Sequence, residues 1–130
     1  MRTITPTQQG KGYSAVCLGP LDQLEGKTFL KEHLGTTSME LSAGSLAAGE
    51  ALPFAHKHKQ NEEVYLFLNG QGILTLDGTD VAVYAGSAVR IDPDVTRRLR
   101  NTGDSPLVYL CIQAKSGSLE QWVMTDGIVL

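Results

Sequence analysis

The chain has 130 residues, enough for one domain around one core, and its 42% hydrophobic and 19% charged residues exclude a disordered segment. A formal net charge of −3 gives no electrostatic basis for a nucleic-acid or membrane-surface partner. No run has the apolar length of a transmembrane helix, and the N-terminal MRTITPTQQGKGYSAV has no apolar block before a cleavage site, which predicts a cytoplasmic protein. Cys17 and Cys111 lie far apart in apolar, strand-like sequence (SAVCL and YLCI), so both are expected to be reduced and buried.

Taken in order, residues 1–12 lack periodicity and read as an arm, and YSAVCL (13–18) reads as a first short strand. LDQLEGKTFLKEHLG hints at a broken helical turn or two through Leu21, Leu24 and Leu34, and His33 within it is given no role. From Thr37 the pattern shortens. TSMELSAGSL is a strand, AAGE a turn at Gly49, LPFAHKH a strand, KQNE a loop and EVYLFL a strand ending in NGQG. ILTL and VAVY pair across Asp77-Gly78, a step suited to a tight hairpin. AVRI, a turn at Pro93, TRRLRN, the turn NTGDSP and LVYLCIQA complete the series.

Short strands at this spacing predict an antiparallel sandwich or barrel in a single domain. Residues 1–36 form the arm and first strand, 37–115 the barrel and 116–130 a C-terminal extension. EVYLFL is apolar on both faces, with Tyr65 and Phe67 on the face of Glu63 and Val64, Leu66 and Leu68 on the other. The second face is therefore expected to be covered by a terminal segment or by another subunit, and a symmetric homodimer is the simplest completion. The tail carries Leu119, Trp122, Val123 and Ile128, which offer some of that cover.

The stretch GEALPFAHKHKQNEEVYLFLNG (49–70) holds the chemistry. On a strand His56 and His58 point the same way, and Glu63 opens the next strand. Two imidazoles and a carboxylate form a mixed nitrogen and oxygen donor set that iron, zinc, nickel, copper or manganese accepts. A solvated basic loop is the bland alternative, and the apolar strand that follows weighs against it.

This pattern resembles the cupin superfamily. The family's first motif is a glycine, five residues, His-x-His, three or four residues, a glutamate, six residues and a glycine. Here Gly49, His56, His58, Glu63 and Gly70 follow that order with one extra residue in the first gap. Gly86, Pro93 and Asn101 match the looser second motif with small shifts, and Arg97 occupies the place of its histidine. The resemblance covers roughly residues 37–115 and implies an all-β, double-stranded β-helix (jelly-roll) barrel.

Alternation puts Arg97, Leu99 and Asn101 on one face and Arg98 and Arg100 on the other. A guanidinium offers only donors and cannot ligate a cation. The resemblance thus implies at most a two-histidine, one-glutamate metal shell, with two outcomes. In one, His56, His58 and Glu63 hold a divalent metal and Arg97 swings away or meets an anionic ligand. In the other, Arg97 pairs with Glu63 through a bidentate contact and the pocket is metal-free. Two unit charges at about 4 Å interact by roughly 4 kcal/mol at an effective dielectric near 20, and a divalent ion doubles that. Metal and inward guanidinium thus coexist only with an anion between them. Tyr65, Phe67 and Gln113 are expected to line the pocket. The family hosts dioxygenases, isomerases, decarboxylases and lyases beside non-catalytic binding modules, so a small-molecule ligand is implied and no reaction is named.

Overall fold

The structure is a computed structural model, and it describes residues 4–130. The described residues form ten strands: β1 Thr5–Gly10, β2 Tyr13–Cys17, β3 Gly26–Phe29, β4 Glu40–Leu46, β5 Asn61–Asn69, β6 Gln71–Leu76, β7 Thr79–Tyr84, β8 Ala88–Ile91, β9 Arg97–Asn101 and β10 Leu107–Lys115. A 3-10 turn spans Leu21–Gln23, and one α-helical turn, α1, spans Lys31–Leu34. A five-stranded sheet runs β3-β4-β10-β5-β8 and faces a three-stranded sheet β7-β6-β9. Every pairing is antiparallel, and the architecture is the all-β jelly-roll barrel.

Alternation drives the closure. Along β5, Glu63, Tyr65 and Phe67 are buried while Val64, Leu66 and Leu68 are exposed, and along β9 Arg97, Leu99 and Asn101 are buried while Arg98 and Arg100 are exposed. The buried rows of the two sheets meet in one core of Leu46, Tyr65, Phe67, Leu74, Val83, Ile91, Leu99, Leu107, Tyr109 and Cys111. Inside it the Phe67 ring stacks on Tyr65 with centroids 6.0 Å apart, and Tyr109 tilts against both.

Turn chemistry sets the register. Asp77 (φ 48°) and Gly78 (φ 83°) both take left-handed conformations, as a two-residue hairpin loop demands, and pair Leu76 with Thr79. Asn101 is a structural clamp: its Nδ2 donates to the carbonyls of Leu46 and Ser105, and its Oδ1 accepts from the Gly103 amide.

Several expectations need correction. The N-terminal arm is a hairpin strand from Thr5, paired with β2, while residues 1–3 lie outside the described part. The segment expected to hold a broken helical turn or two does so, at Leu21–Gln23 and Lys31–Leu34, but between them it also contains β3, held by backbone pairing to β4 and not by any apolar period of its own. LPFAHKH is not a continuous strand. Its backbone meets β9 in isolated bridges, at the preceding Ala51 and at His56, and Pro53 between them has no N–H to give a ladder; the Arg98 side chain also donates to the Leu52 carbonyl. Strand β5 starts at Asn61, so Glu63 is its third residue. Both cysteines are free, but only Cys111 is buried; Cys17 ends the exposed hairpin.

The outer face of the large sheet leaves Val64, Leu66, Leu68 and Ile112 exposed, and the tail does not cover it. Leu119, Trp122, Val123, Met124, Ile128, Val129 and Leu130 are themselves exposed.

Two glycines separate strain from crowding. Gly70 has φ 87°, and a Cβ there would lie 2.5 Å from the Pro106 carbonyl oxygen, whereas Gly78 has a similar φ with nothing within 4 Å. Gly78→Ala should cost about 1–2 kcal/mol, the left-handed penalty alone, and Gly70→Ala about 3 kcal/mol or more. Urea unfolding of both variants measures the difference.

Candidate metal and ligand site

The candidate donors converge from two segments, the HKHK run and β5. Glu63 comes from β5, and His56 is fixed by a reciprocal backbone pair with Arg97, N→O 3.0 Å one way and 2.8 Å the other. The His58 amide donates to the Pro93 carbonyl at 2.8 Å, which folds the HKHK run over the end of the barrel. The two imidazoles meet edge to face with centroids 5.2 Å apart. Ligand atoms of His56, His58 and Glu63 all lie within 4.8 Å of one another.

Glu63 is 1% exposed, and its two oxygens have different company. Oε1 accepts from Arg97 Nη1 at 2.9 Å. Oε2 accepts from the Cys111 thiol at 3.2 Å and lies 3.3 Å from His58 Nε2. That last approach is a contact outside hydrogen-bonding geometry, so His58 Nε2 is a buried nitrogen without a hydrogen-bond partner. Arg97 is likewise 1% exposed, and its Nη2 donates to the Asp92 carbonyl at 2.6 Å. The guanidinium therefore faces inward, as β9 alternation predicts. The expected bidentate contact is not made: one guanidinium nitrogen takes the carboxylate and the other takes a backbone carbonyl, because the Pro93 turn brings that carbonyl within reach.

Burial, partly opposed by the Glu63 charge, holds His56 below the usual histidine range, which keeps its imidazole in the neutral, ligating form. Burial pushes the Cys111 thiol up to about 12, so it stays protonated and serves Glu63 as a donor. Burial also raises Tyr65 well above the ordinary phenol value and lifts Tyr109 to about 12. Two histidine nitrogens and one carboxylate oxygen, one of the nitrogens buried and unpartnered, fit a divalent transition metal.

The remaining sequence-derived candidates are distributed around this cluster. Tyr65 packs beside Cys111 below Glu63, and Phe67 lies one step deeper in the core. Gln113 sits opposite Glu63 on β10 and accepts from Asn61 Nδ2 at 3.0 Å. Lys27 and Phe29 of β3 are not marked by any motif. They pair with Gly44 and Ser42 and so share the inner face with Tyr109 and Cys111. Only the alternation of a recognised β3 would have pointed to them.

Fold and site define a small β-barrel that gathers mixed nitrogen and oxygen donors at one end. Residues 38–113 match the cupin domain family model, and the chain belongs to the cupin family. A crystal structure of a cupin protein from Bacteroides fragilis is 41% identical, with a TM-score of 0.84 over 93% of this chain and 99% of that one. An oxalate-binding protein of Thermotoga maritima is 33% identical over 57 residues, and an uncharacterized protein of Methanocaldococcus jannaschii is 39% identical over 56. Those matches cover 44% and 43% of this chain and 47% and 45% of the two relatives, so the chain spans about half the length of the curated relatives it matches. A predicted oxalate decarboxylase from T. maritima shares the fold at 22% identity and TM-score 0.62, over 88% of this chain and 93% of that one. No helix among the described residues is long and apolar enough to cross a membrane.

Removing Arg97 would strand Glu63 in the interior. Arg97→Met should cost about 3 kcal/mol, the lower end for a broken buried pair because Cys111 still donates to the carboxylate. Equilibrium denaturation checks the value.

Proposed function

We propose that this cupin holds a divalent transition metal on His56, His58 and Glu63 and binds a small organic molecule beside it. The observation that carries this reading is His58 Nε2, buried without a hydrogen-bond partner and 3.3 Å from the Glu63 oxygen that Arg97 leaves free. Iron, zinc, nickel or manganese suits the donor set, and such an ion supplies Lewis acidity or an O₂-binding centre. Oxygenase or isomerase-type activity belongs with that chemistry. In this chain Arg97 orients the Glu63 carboxylate, Cys111 steadies its second oxygen, and Tyr65, Phe67 and Gln113 shape the surroundings of the ligand.

A second reading rests on the buried Arg97–Glu63 pair at 2.9 Å. Here the guanidinium stands in for the cation, and the protein is a metal-free module for small, anionic ligands. Metal analysis of protein purified without a polyhistidine tag separates the two. Close to one equivalent of transition metal, lost in the His56→Ala, His58→Ala double variant with the fold intact, is the expected result. Metal-free protein in both would leave only the second reading.

The active form is proposed to be a homodimer that covers the open Val64, Leu66, Leu68 and Ile112 face. Light scattering should give twice the monomer mass, and Leu66→Glu should shift the protein to monomer.

A further inference from the structure

A cavity of about 380 Å³ lies outside the barrel, against the outer face of the small sheet. Its position follows from alternation. Thr96, Arg98 and Arg100 alternate with the buried Arg97 and Leu99, and Thr75 stands opposite Arg98 on β6, so the four side chains share that outer face. Residues 51–56 run beside β9 and supply Ala51 and Ala55 as an apolar wall. None of His56, His58, Glu63 and Arg97 lines this space, and its volume falls within the roughly 300–1,000 Å³ of small-molecule sites.

The charged lining is two guanidiniums, each already held on one side. Arg98 Nε donates to the Leu52 carbonyl at 2.9 Å, and Arg100 Nη2 donates to Asp80 Oδ2 at 3.2 Å. Both Asp80 oxygens are engaged, since Oδ1 accepts from the Thr75 hydroxyl at 2.7 Å. Arg98 has no carboxylate partner among the described residues, whereas Lys57 has Asp94, Arg90 has Asp92 and Arg97 has Glu63. Its Nη1 and Nη2 and the Thr96 hydroxyl have no hydrogen-bond partner among the described residues either. Arg98 and Arg100 are two residues apart on one strand, so their Cα atoms lie about 7 Å apart, a span that one oxyanion held by both forks fits. One fork satisfies a carboxylate. Two forks and a hydroxyl match the three terminal oxygens of a phosphoryl group.

We propose that this cavity is a second ligand site, for the phosphoryl group of a small organic phosphate, with Arg98 and Arg100 as its anchors. The phosphoryl oxygens accept from the free Nη atoms of Arg98, from Arg100 and from the Thr96 hydroxyl, and the organic body lies against Ala51 and Ala55. Asp80 orients Arg100 and does not line the cavity. The inference goes beyond the metal-site reading and does not rest on it.

Calorimetric titration of the full chain with inorganic phosphate and phenyl phosphate at constant ionic strength is the test, with acetate as the control anion. Saturable binding of phenyl phosphate, tighter than that of inorganic phosphate and absent for acetate, is expected. Arg98→Met should weaken it by about tenfold or more, the usual loss for a charge-assisted contact. Arg90→Met, which removes the same charge from the other sheet, should leave it unchanged. Because Arg98 also holds Leu52, Ala51→Glu is the second variant: it places a carboxylate on the wall without touching that bond, and should abolish binding at an unchanged melting temperature. The His56→Ala, His58→Ala double variant should bind phenyl phosphate as the wild type does. Loss of binding in that double variant would put the anion inside the barrel and overturn the proposal. A non-saturable response, equal binding of acetate, inorganic phosphate bound as tightly as phenyl phosphate, or wild-type affinity in either Arg98→Met or Ala51→Glu overturns it as well. Metal-free protein with phosphate binding intact counts against the metal-site reading alone.

Discussion

One buried carboxylate ties the two sheets together. Glu63 belongs to the five-stranded sheet and Arg97 to the three-stranded one, so their 2.9 Å contact spans the barrel interior. A buried pair of this kind adds little net stability, because desolvating two charges costs about as much as their attraction returns. Its effect here is positional. Arg97 is fixed at both ends, by Glu63 and by the Asp92 carbonyl, and it holds one carboxylate oxygen so that the other turns toward His58. The electrostatic conflict between a cation and a guanidinium in one pocket is thereby softened, since the negative group lies between Arg97 on one side and the imidazole on the other.

Cys111 shows how burial selects roles. A thiol at the centre of a donor cluster is a candidate ligand only as thiolate, and this one is held protonated by its dry surroundings. It donates to Glu63 instead. The cluster is thus two imidazoles and one carboxylate by physical necessity, with a thiol and a guanidinium as its supports. The outer face of the large sheet differs from this interior: Val64, Leu66, Leu68 and Ile112 are exposed there, and so are the apolar side chains of the tail.

What could be read from the sequence was whatever alternation and turn chemistry fix locally. The inward set Arg97, Leu99, Asn101, the two-faced apolar β5 and the Asp77-Gly78 hairpin all depend on neighbours a few residues away. Strand β1 was hidden because TPTQQG has no apolar period and exists only by pairing with YSAVC. Strand β3 was hidden for the same reason, and with it Lys27. The division of the Glu63 oxygens depends on where the Pro93 turn leaves the Asp92 carbonyl, a long-range fact that no spacing encodes.

The interruption at Pro53 has its own consequence. The stretch from Leu52 to His56 clings to β9 by a handful of backbone bonds at its ends, not by a full ladder, whereas Glu63 and Arg97 sit in regular strands. Order in the cluster is therefore unequal, with Glu63 and its support Arg97 in regular strands and both histidines on a hem held by isolated backbone bonds. Whatever grips the His56 imidazole also sews that hem down, so occupancy of the barrel end and closure of its edge are a single event.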